Sequence, residues 1–261
     1  MLKSIIKLLL HNHKASFKPS QQSRPLIILG NGPSLNSTIK NHAEALSNAP
    51  LLAVNFAANT PVFAELKPDY YVLADPHFFE NQNDANVAKL ISAINAVNWP
   101  MTLFLPCKAK SPISNPYVKV ERFPMTAVEG SQKLENWAFS ARRAMPRPRN
   151  VLIPSIMIAI WLGFSEIYIT GADHSWLTSV SVTDNNQVVS LQPHFYKDND
   201  HELSRIKVVQ MNLKLHELLM HWHIAFRSYH SVQRWAEKIG VKIFNATPNS
   251  FIDAFPRKCL K

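Results

Sequence analysis

The chain has 261 residues, 46% of them hydrophobic and 18% charged, which excludes a disordered polymer and suits one large domain or a domain with a small appendage. No apolar run reaches the roughly 18 residues that a spanning helix needs, and two cysteines, Cys107 and Cys259, are too few for a disulfide scaffold or a thiolate zinc site and fit a reducing compartment. Lys and Arg number 28 against 18 Asp and Glu, and the resulting net charge of +10 favours an anionic partner: a phosphate-bearing substrate, an acidic membrane or nucleic acid.

Residues 1–16 read MLKSIIKLLLHNHKAS, with Leu2, Ile5, Ile6, Leu8, Leu9 and Leu10 forming an apolar face beside Lys3, Lys7 and Lys14. The stretch is too short to span a bilayer, and it lacks the small-residue cleavage site of a signal peptide. Two readings stand. One is a helix packed on the domain or on a second copy of the chain, so a homo-oligomer belongs among the expectations. The other is a basic helix lying on an anionic membrane surface. FKPSQQSRP at 17–25 reads as a linker, giving an N-terminal segment over 1–24 and a folded domain over 25–256.

From residue 26 strands and helices alternate. LIIL at 26–29 reads as a buried parallel strand ending at Gly30, followed by a helix that starts near Ser34 and covers 37–47. Further strands are expected at 51–55, 70–75, 101–106, 166–173 and 241–248. Helices are expected at 61–66, 84–96, within 151–164, and over an interrupted stretch at 203–238. This alternation predicts an α/β fold: an α/β/α sandwich around a mainly parallel, Rossmann-like sheet, with a small lid at about 175–202.

Open sheets of this kind bind ligands beyond the carboxyl ends of their strands. Polar residues follow five of the expected strands: Asn31, Asn55, Asp75, the Asp173-His174 pair, and Asn249-Ser250. Asn and Asp are also good turn formers, so each alone has a structural reading, whereas the set points to a site. The sharpest local signal is Gly30-Asn31-Gly32-Pro33-Ser34-Leu35, a tight strand-to-helix turn of the kind whose backbone N–H groups can cradle a phosphate. No Gly-Lys-Ser/Thr follows it and the third glycine of the dinucleotide fingerprint is missing, so it is neither a Walker loop nor that fingerprint. Arg142, Arg143, Arg147 and Arg149 cluster ahead of the 151–164 helix, either as a solvated face or as counter-charge for an anionic donor. Aromatics are not interleaved with the basic residues and no recognition-helix pattern appears, so nucleic acid is not an expected partner.

GNGPSL (30–35), Asn55, LGFSEIYITGAD (162–173) and TPNS (247–250) resemble bacterial sialyltransferases of glycosyltransferase family 42. KPDYYVLADPHFF (67–79) and GADHSW (171–176) are more similar to the neighbouring 6-hydroxymethylpterin diphosphokinase-like family found in surface-polysaccharide clusters. The resemblance spans about residues 25–256. It implies an inverting, metal-independent glycosyltransferase with no cofactor, moving an acidic sugar of sialic acid or Kdo type from a CMP-activated donor to a glycan or glycolipid acceptor. Carried over by position, Asn31, Gly32 and Ser34 would meet the donor, Asn55 the nucleotide or sugar, and Asp173 matches the Asp of Gly-x-Asp. Asp75 stands where the family has Asn, Ser155 is a plausible donor at the start of the central helix, and Ser175 replaces a tyrosine that holds the leaving phosphate.

The family uses a lid histidine as base. His194, beside Tyr196 in PHFYKDND (193–200), is the first choice, and His223 the second by back-count from TPNS; His174 completes the substrate-binding set. An acceptor linked to lipid would place the protein in the cytoplasm, peripheral on the inner face of the bacterial inner membrane. Two alternatives come from other classes: an ATP- and magnesium-dependent pterin diphosphokinase-like transferase, in which Asp75 and Asp173 would face the metal, and a non-catalytic nucleotide-sugar-binding protein.

Overall fold

The computed structural model describes residues 1–11, 13–81, 83–190 and 213–260. Its strands are β1 (Leu26–Leu29), β2 (Leu51–Val54), β3 (Tyr70–Val72), β4 (Met101–Pro106), β5 (Val118–Phe123), β6 (Glu166–Thr170), β7 (Ser181–Val182), β8 (Val188–Val189) and β9 (Lys242–Asn245). Its helices are α1 (Leu2–Leu10), α2 (Leu35–Asn41), α3 (Ala43–Asn48), α4 (Pro61–Leu66), α5 (His77–Glu80), α6 (Ala85–Asn95), α7 (Gln132–Ser140), α8 (Leu152–Leu162) and α9 (Leu215–Lys238). Seven strands form one sheet in the order β5-β4-β3-β2-β1-β6-β9, with every neighbouring pair parallel. The sheet and its flanking helices are the predicted α/β fold.

The continuous apolar runs are explained by burial on both faces. Along β1, Leu26 and Ile28 enter one core with α8, while Ile27 and Leu29 enter another with Leu35 of α2 and Leu46 of α3. β4 divides in the same way: Phe104 packs on the α8 side, and Leu103 and Leu105 pack with Val87, Leu90 and Ile94 of α6. All eleven residues of α8 are buried, because α8 lies between the sheet and α9. Each of its Leu and Ile side chains contributes about 1.5–3 kcal/mol by leaving water. Local chemistry sets the helix starts. Asp84 Oδ1 accepts from the N–H groups of Asn86 and Val87 at 2.8 and 3.2 Å to cap α6, and Pro61 opens α4 where no amide donor is needed.

The chain lays β1 to β5 outward in one direction and then returns to place β6 on the other side of β1. The strand order therefore reverses between β1 and β6, and the crevice beyond their carboxyl ends is the topological switch point.

Three expectations change. The edge strand β5 and helix α7 were not foreseen: VKVERF (118–123) is interrupted by charges, and it is an edge strand on which Lys119 pairs with Glu121 at 2.8 Å. The 17–25 segment is no linker. Phe17 is buried in the main core with its ring edge-on to Phe104 at 4.9 Å, Arg142 donates to Phe17 O, and Ser20 N–H bonds Leu162 O at 3.0 Å. The long C-terminal helix is described from Leu215 to Lys238. In the lid region β7 and β8 form a small antiparallel hairpin, and residues 191–202 lie outside the described residues. Among the described residues, no helix is long and apolar enough to cross a membrane.

Candidate functional site

Two turns meet backbone to backbone at the switch point. Gly30 N–H donates to Thr170 O at 2.8 Å and Gly32 N–H to Gly171 O at 2.7 Å. A β-carbon on Gly30 would stand 2.5 Å from Gly171 O, and one on Gly32 would run into the Asp173 carboxylate. Asp173 Oδ2 accepts from the Ser34 hydroxyl at 2.8 Å and from the Ser34 N–H at 3.4 Å. The glycines are thus required by the approach of the two turns to each other. Of the expected phosphate cradle, the N–H groups of Gly30, Gly32 and Ser34 are engaged here by the end of β6 and the turn after it. Ser34 accordingly serves Asp173, and its hydroxyl is occupied.

The loop after β9 braces the second turn. Ala172 N–H donates to Thr247 Oγ1 at 3.0 Å, and the Ser250 hydroxyl donates to Ala172 O at 2.6 Å. Asn245 Nδ2 holds Ser250 Oγ at 3.1 Å, and Phe251 N–H bonds Asp173 O at 2.9 Å. The Thr and Ser of TPNS therefore fix the Gly171–Asp173 backbone. Asn249 is exposed, with φ of 52°, and it does not line the cleft.

Above these turns opens a cleft of about 430 Å³ that Asn31, Gly32, Asn55, Asp75, Asp173 and His174 all line. Asn31 Nδ2 donates to Val54 O at 3.1 Å, leaving its Oδ1 buried and without a partner. Asn55 sits at φ of 50°, in the left-handed region that Asn tolerates better than most residues. Its carbonyl accepts from the Tyr71 hydroxyl, and its Oδ1 is also buried and unpartnered. An orphaned buried acceptor costs about 1–3 kcal/mol, and both belong to residues that line the cleft. Asp75 is exposed, and its Oδ1 accepts from His77 N–H at 2.9 Å. Arg149 and Asn150, ahead of α8, line the same cleft.

His174 is 9% exposed, and burial pushes its imidazolium pKa down to about 3. Its Nε2 lies 2.7 Å from the Tyr229 hydroxyl, which lies 3.0 Å from Asn150 Oδ1. Asn150 Oδ1 in turn accepts the Leu152 N–H at 3.0 Å, capping α8. Trp176 stacks on the imidazole at 4.2 Å between ring centres. Burial also raises the Tyr229 phenol. A neutral imidazole locked among aromatic rings positions the cleft wall, and it is a poor base near neutral pH.

The remaining predicted residues separate. Ser155 is fully buried, donates to Val151 O at 2.8 Å, and does not line the cleft. His223 is exposed on α9 and does not line the cleft. His194 and Tyr196 lie outside the described residues. The arginine cluster disperses: Arg142 holds Phe17 O, Arg147 pairs with Glu129 at 3.0 Å, and Arg149 lines the cleft. Asn150, Trp176 and Tyr229 were not foreseen as parts of the site. Asn150, just before the largely apolar 151–162 run, carried the usable signal, a helix cap at a strand-end crevice. Among the described residues no three His, Cys, Asp or Glu side chains gather as a metal-ligand cluster.

A family model described as 6-hydroxymethylpterin diphosphokinase MptE-like matches residues 1–179, a span that holds both glycine turns and His174. Among solved structures the fold is similar to that of the MAf glycosyltransferase from Magnetospirillum magneticum AMB-1, with a TM-score of 0.53 and 14% identity. That alignment covers 94% of this chain and 34% of the other, so the chain spans about a third of its neighbour's length. No curated protein matches the sequence.

Proposed function

The chain belongs to the 6-hydroxymethylpterin diphosphokinase MptE-like family, and from that premise we propose that it is a glycosyltransferase that takes an acidic sugar of sialic acid or Kdo type from a CMP-activated donor. The observation that carries this reading is that Asn31 and Asn55, two residues lining the switch-point cleft, each keep a buried amide Oδ1 without a partner. Phosphates offer no donors; a nucleoside offers ring or exocyclic N–H groups and ribose hydroxyls. These two residues therefore suit the nucleoside, and Arg149, which also lines the cleft, suits the phosphate and the sugar carboxylate. The structural neighbour is named a glycosyltransferase, which supports the class. Transfer is then inverting and metal-independent, with His194 removing the acceptor proton and Tyr196 holding the leaving phosphate.

One observation favours a second reading. Asp75 and Asp173 line the same cleft, and one or two carboxylates with substrate phosphates are a common magnesium site. An ATP-dependent diphosphokinase-like transferase would use them so, although Asp173 Oδ2 already receives the Ser34 hydroxyl. A thermal-shift series with CMP, CDP, UDP, ATP and GTP, each with and without magnesium, separates the readings. Ligand at about 100 times its Kd adds about 2.7 kcal/mol of stability. A metal-independent shift with CMP, followed by CMP release from a CMP-sugar, supports sugar transfer. A shift confined to ATP with magnesium overturns it in favour of the diphosphokinase. Binding without turnover of any donor and acceptor leaves a nucleotide-sugar-binding protein.

A further inference from the structure

The helix α1 is mounted with its polar side inward. The Ser4 hydroxyl donates to Glu129 O at 2.9 Å, and its oxygen accepts the Glu129 N–H at 3.1 Å. Leu8, one turn on, packs against the main core. At 100° per residue Ser4, Lys7 and Leu8 share one side, and Leu2, Ile5, Ile6 and Leu9 occupy the opposite side. Those outer residues are open to solvent: Leu2 is 71% exposed, Ile6 45% and Leu9 75%, with Leu10 beside them at 73%. A helix that only stabilised the domain would turn its apolar stripe inward. This one is held by a serine and a single leucine and displays its hydrophobes.

Beside α1 runs a groove of about 440 Å³, bounded by the 127–130 loop and by α9. Lys3, Lys7, Arg147, Arg227 and Arg234 line it, against Glu129 and Glu135. The Glu129 carboxylate spans Arg147 and Arg227 at 3.0 and 2.9 Å, and Glu135 is engaged by Gly130 N–H and the Ser231 hydroxyl. Lys3, Lys7 and Arg234 have no acidic partner among the described residues, and Arg147 Nε is buried without an acceptor. The groove thus holds surplus positive charge beside α1, the helix that displays the apolar face.

We propose that this corner docks on an anionic membrane surface, with the outer face of α1 among the acyl chains and the groove receiving a lipid phosphate. An apolar face flanked by cations that lack partners is complementary to a bilayer with acidic headgroups. The surface is separate from the nucleotide cleft, since the two share no lining residue, so it stands or falls independently of the proposed reaction.

The test is sedimentation of the full chain with vesicles of phosphatidylcholine alone and of phosphatidylcholine with a quarter of phosphatidylglycerol. The expected result is binding to the acidic vesicles only, released as salt rises. Ile6→Glu with Leu9→Glu should abolish it; both side chains are exposed, so an unchanged melting temperature and an unchanged CMP shift show that the fold and the cleft survive. Lys3→Ala and Arg234→Ala should each weaken binding about fivefold. No binding to acidic vesicles at low salt overturns the proposal. So does binding that persists in Ile6→Glu with Leu9→Glu. Release by inorganic phosphate at an ionic strength where chloride has no effect would assign the groove to free phosphate instead. A solution dimer that the double variant dissolves, without vesicle binding, would assign the face to a second copy of the chain.

Discussion

The Ser34 hydroxyl donates a 2.8 Å hydrogen bond to Asp173 Oδ2 across 139 residues of sequence. That bond joins the end of β1 to the end of β6 and fills the start of α2 with a protein carboxylate. The glycine turn is therefore half of a two-turn joint, and its sequence reports the joint before it reports a ligand.

Gly32→Val should consequently behave as a packing variant. Its side chain would meet Asp173 and Gly171 O, an overpacking that costs about 1–3 kcal/mol. The melting temperature should fall by roughly 2–4 °C per kcal/mol, and nucleotide binding should weaken with it. A variant with wild-type melting and selectively lost CMP binding would return Gly32 to a direct ligand role.

Asn55→Gly separates the amide from the backbone. Glycine adopts φ of 50° freely, and the Tyr71 bond goes to the Asn55 carbonyl, which the variant retains. Stability should change by less than about 1 kcal/mol, because the orphaned Oδ1 leaves with the side chain. The affinity for CMP should drop roughly tenfold, measured by calorimetry. Unaltered affinity would remove Asn55 Oδ1 from the binding surface.

The sheet was legible because each core strand is a short apolar run and strand–helix alternation leaves few topologies. The edge strand β5 escaped because it carries Lys119 and Glu121, which a doubly covered strand would not. Asn31, Asn55, Asp75, Asp173 and His174 line one cleft, as the rule that polar residues at strand ends converge leads one to expect. Ser155 lies buried in α8 and His223 exposed on α9, neither of them lining the cleft, because motif position cannot tell an inward helix face from an outward one. Gly32 is needed where the turn after β6 approaches the turn after β1. A glycine needed for approach looks the same whether the approaching atom is a ligand's or the chain's own.

His194→Ala tests the base. With CMP-sugar and acceptor, kcat should fall ~100- to 10,000-fold with donor affinity little changed. Asp75 is the exposed carboxylate at the same cleft, and Asp75→Asn should reduce the rate far less. The reverse ranking would make Asp75 the base, and an effect of His223→Ala would contradict its place outside the cleft.

Phe17 and α1 should separate in truncation. Removing residues 1–11 takes away α1 with its Ser4 bonds, and the melting temperature should fall only slightly. Removing 1–20 also takes Phe17 from its contact with Phe104. Phe17→Ala alone should cost about 3–5 kcal/mol, read by urea denaturation. Equal stability of the two truncations would show that residues 13–20 are a tether after all.

His174 sets an acid limit on stability. Its pKa is about 3 in the folded chain and about 6.5 when unfolded. Between those values the unfolded chain takes up a proton that the folded chain refuses. Its contribution is therefore complete above pH 6.5 and is lost as pH falls toward 3, at a rate approaching 1.4 kcal/mol per pH unit, roughly. His174→Asn removes the titration and tolerates the φ of 52° at this position. The variant should be less stable at pH 7.5, because the stack on Trp176 and the bond to Tyr229 are lost. Its stability should nonetheless decline less steeply than wild type between pH 7 and 5, in urea titrations at each pH. Parallel declines would mean that His174 takes up its proton in the folded state, through an opening of the His174–Tyr229–Asn150 cluster.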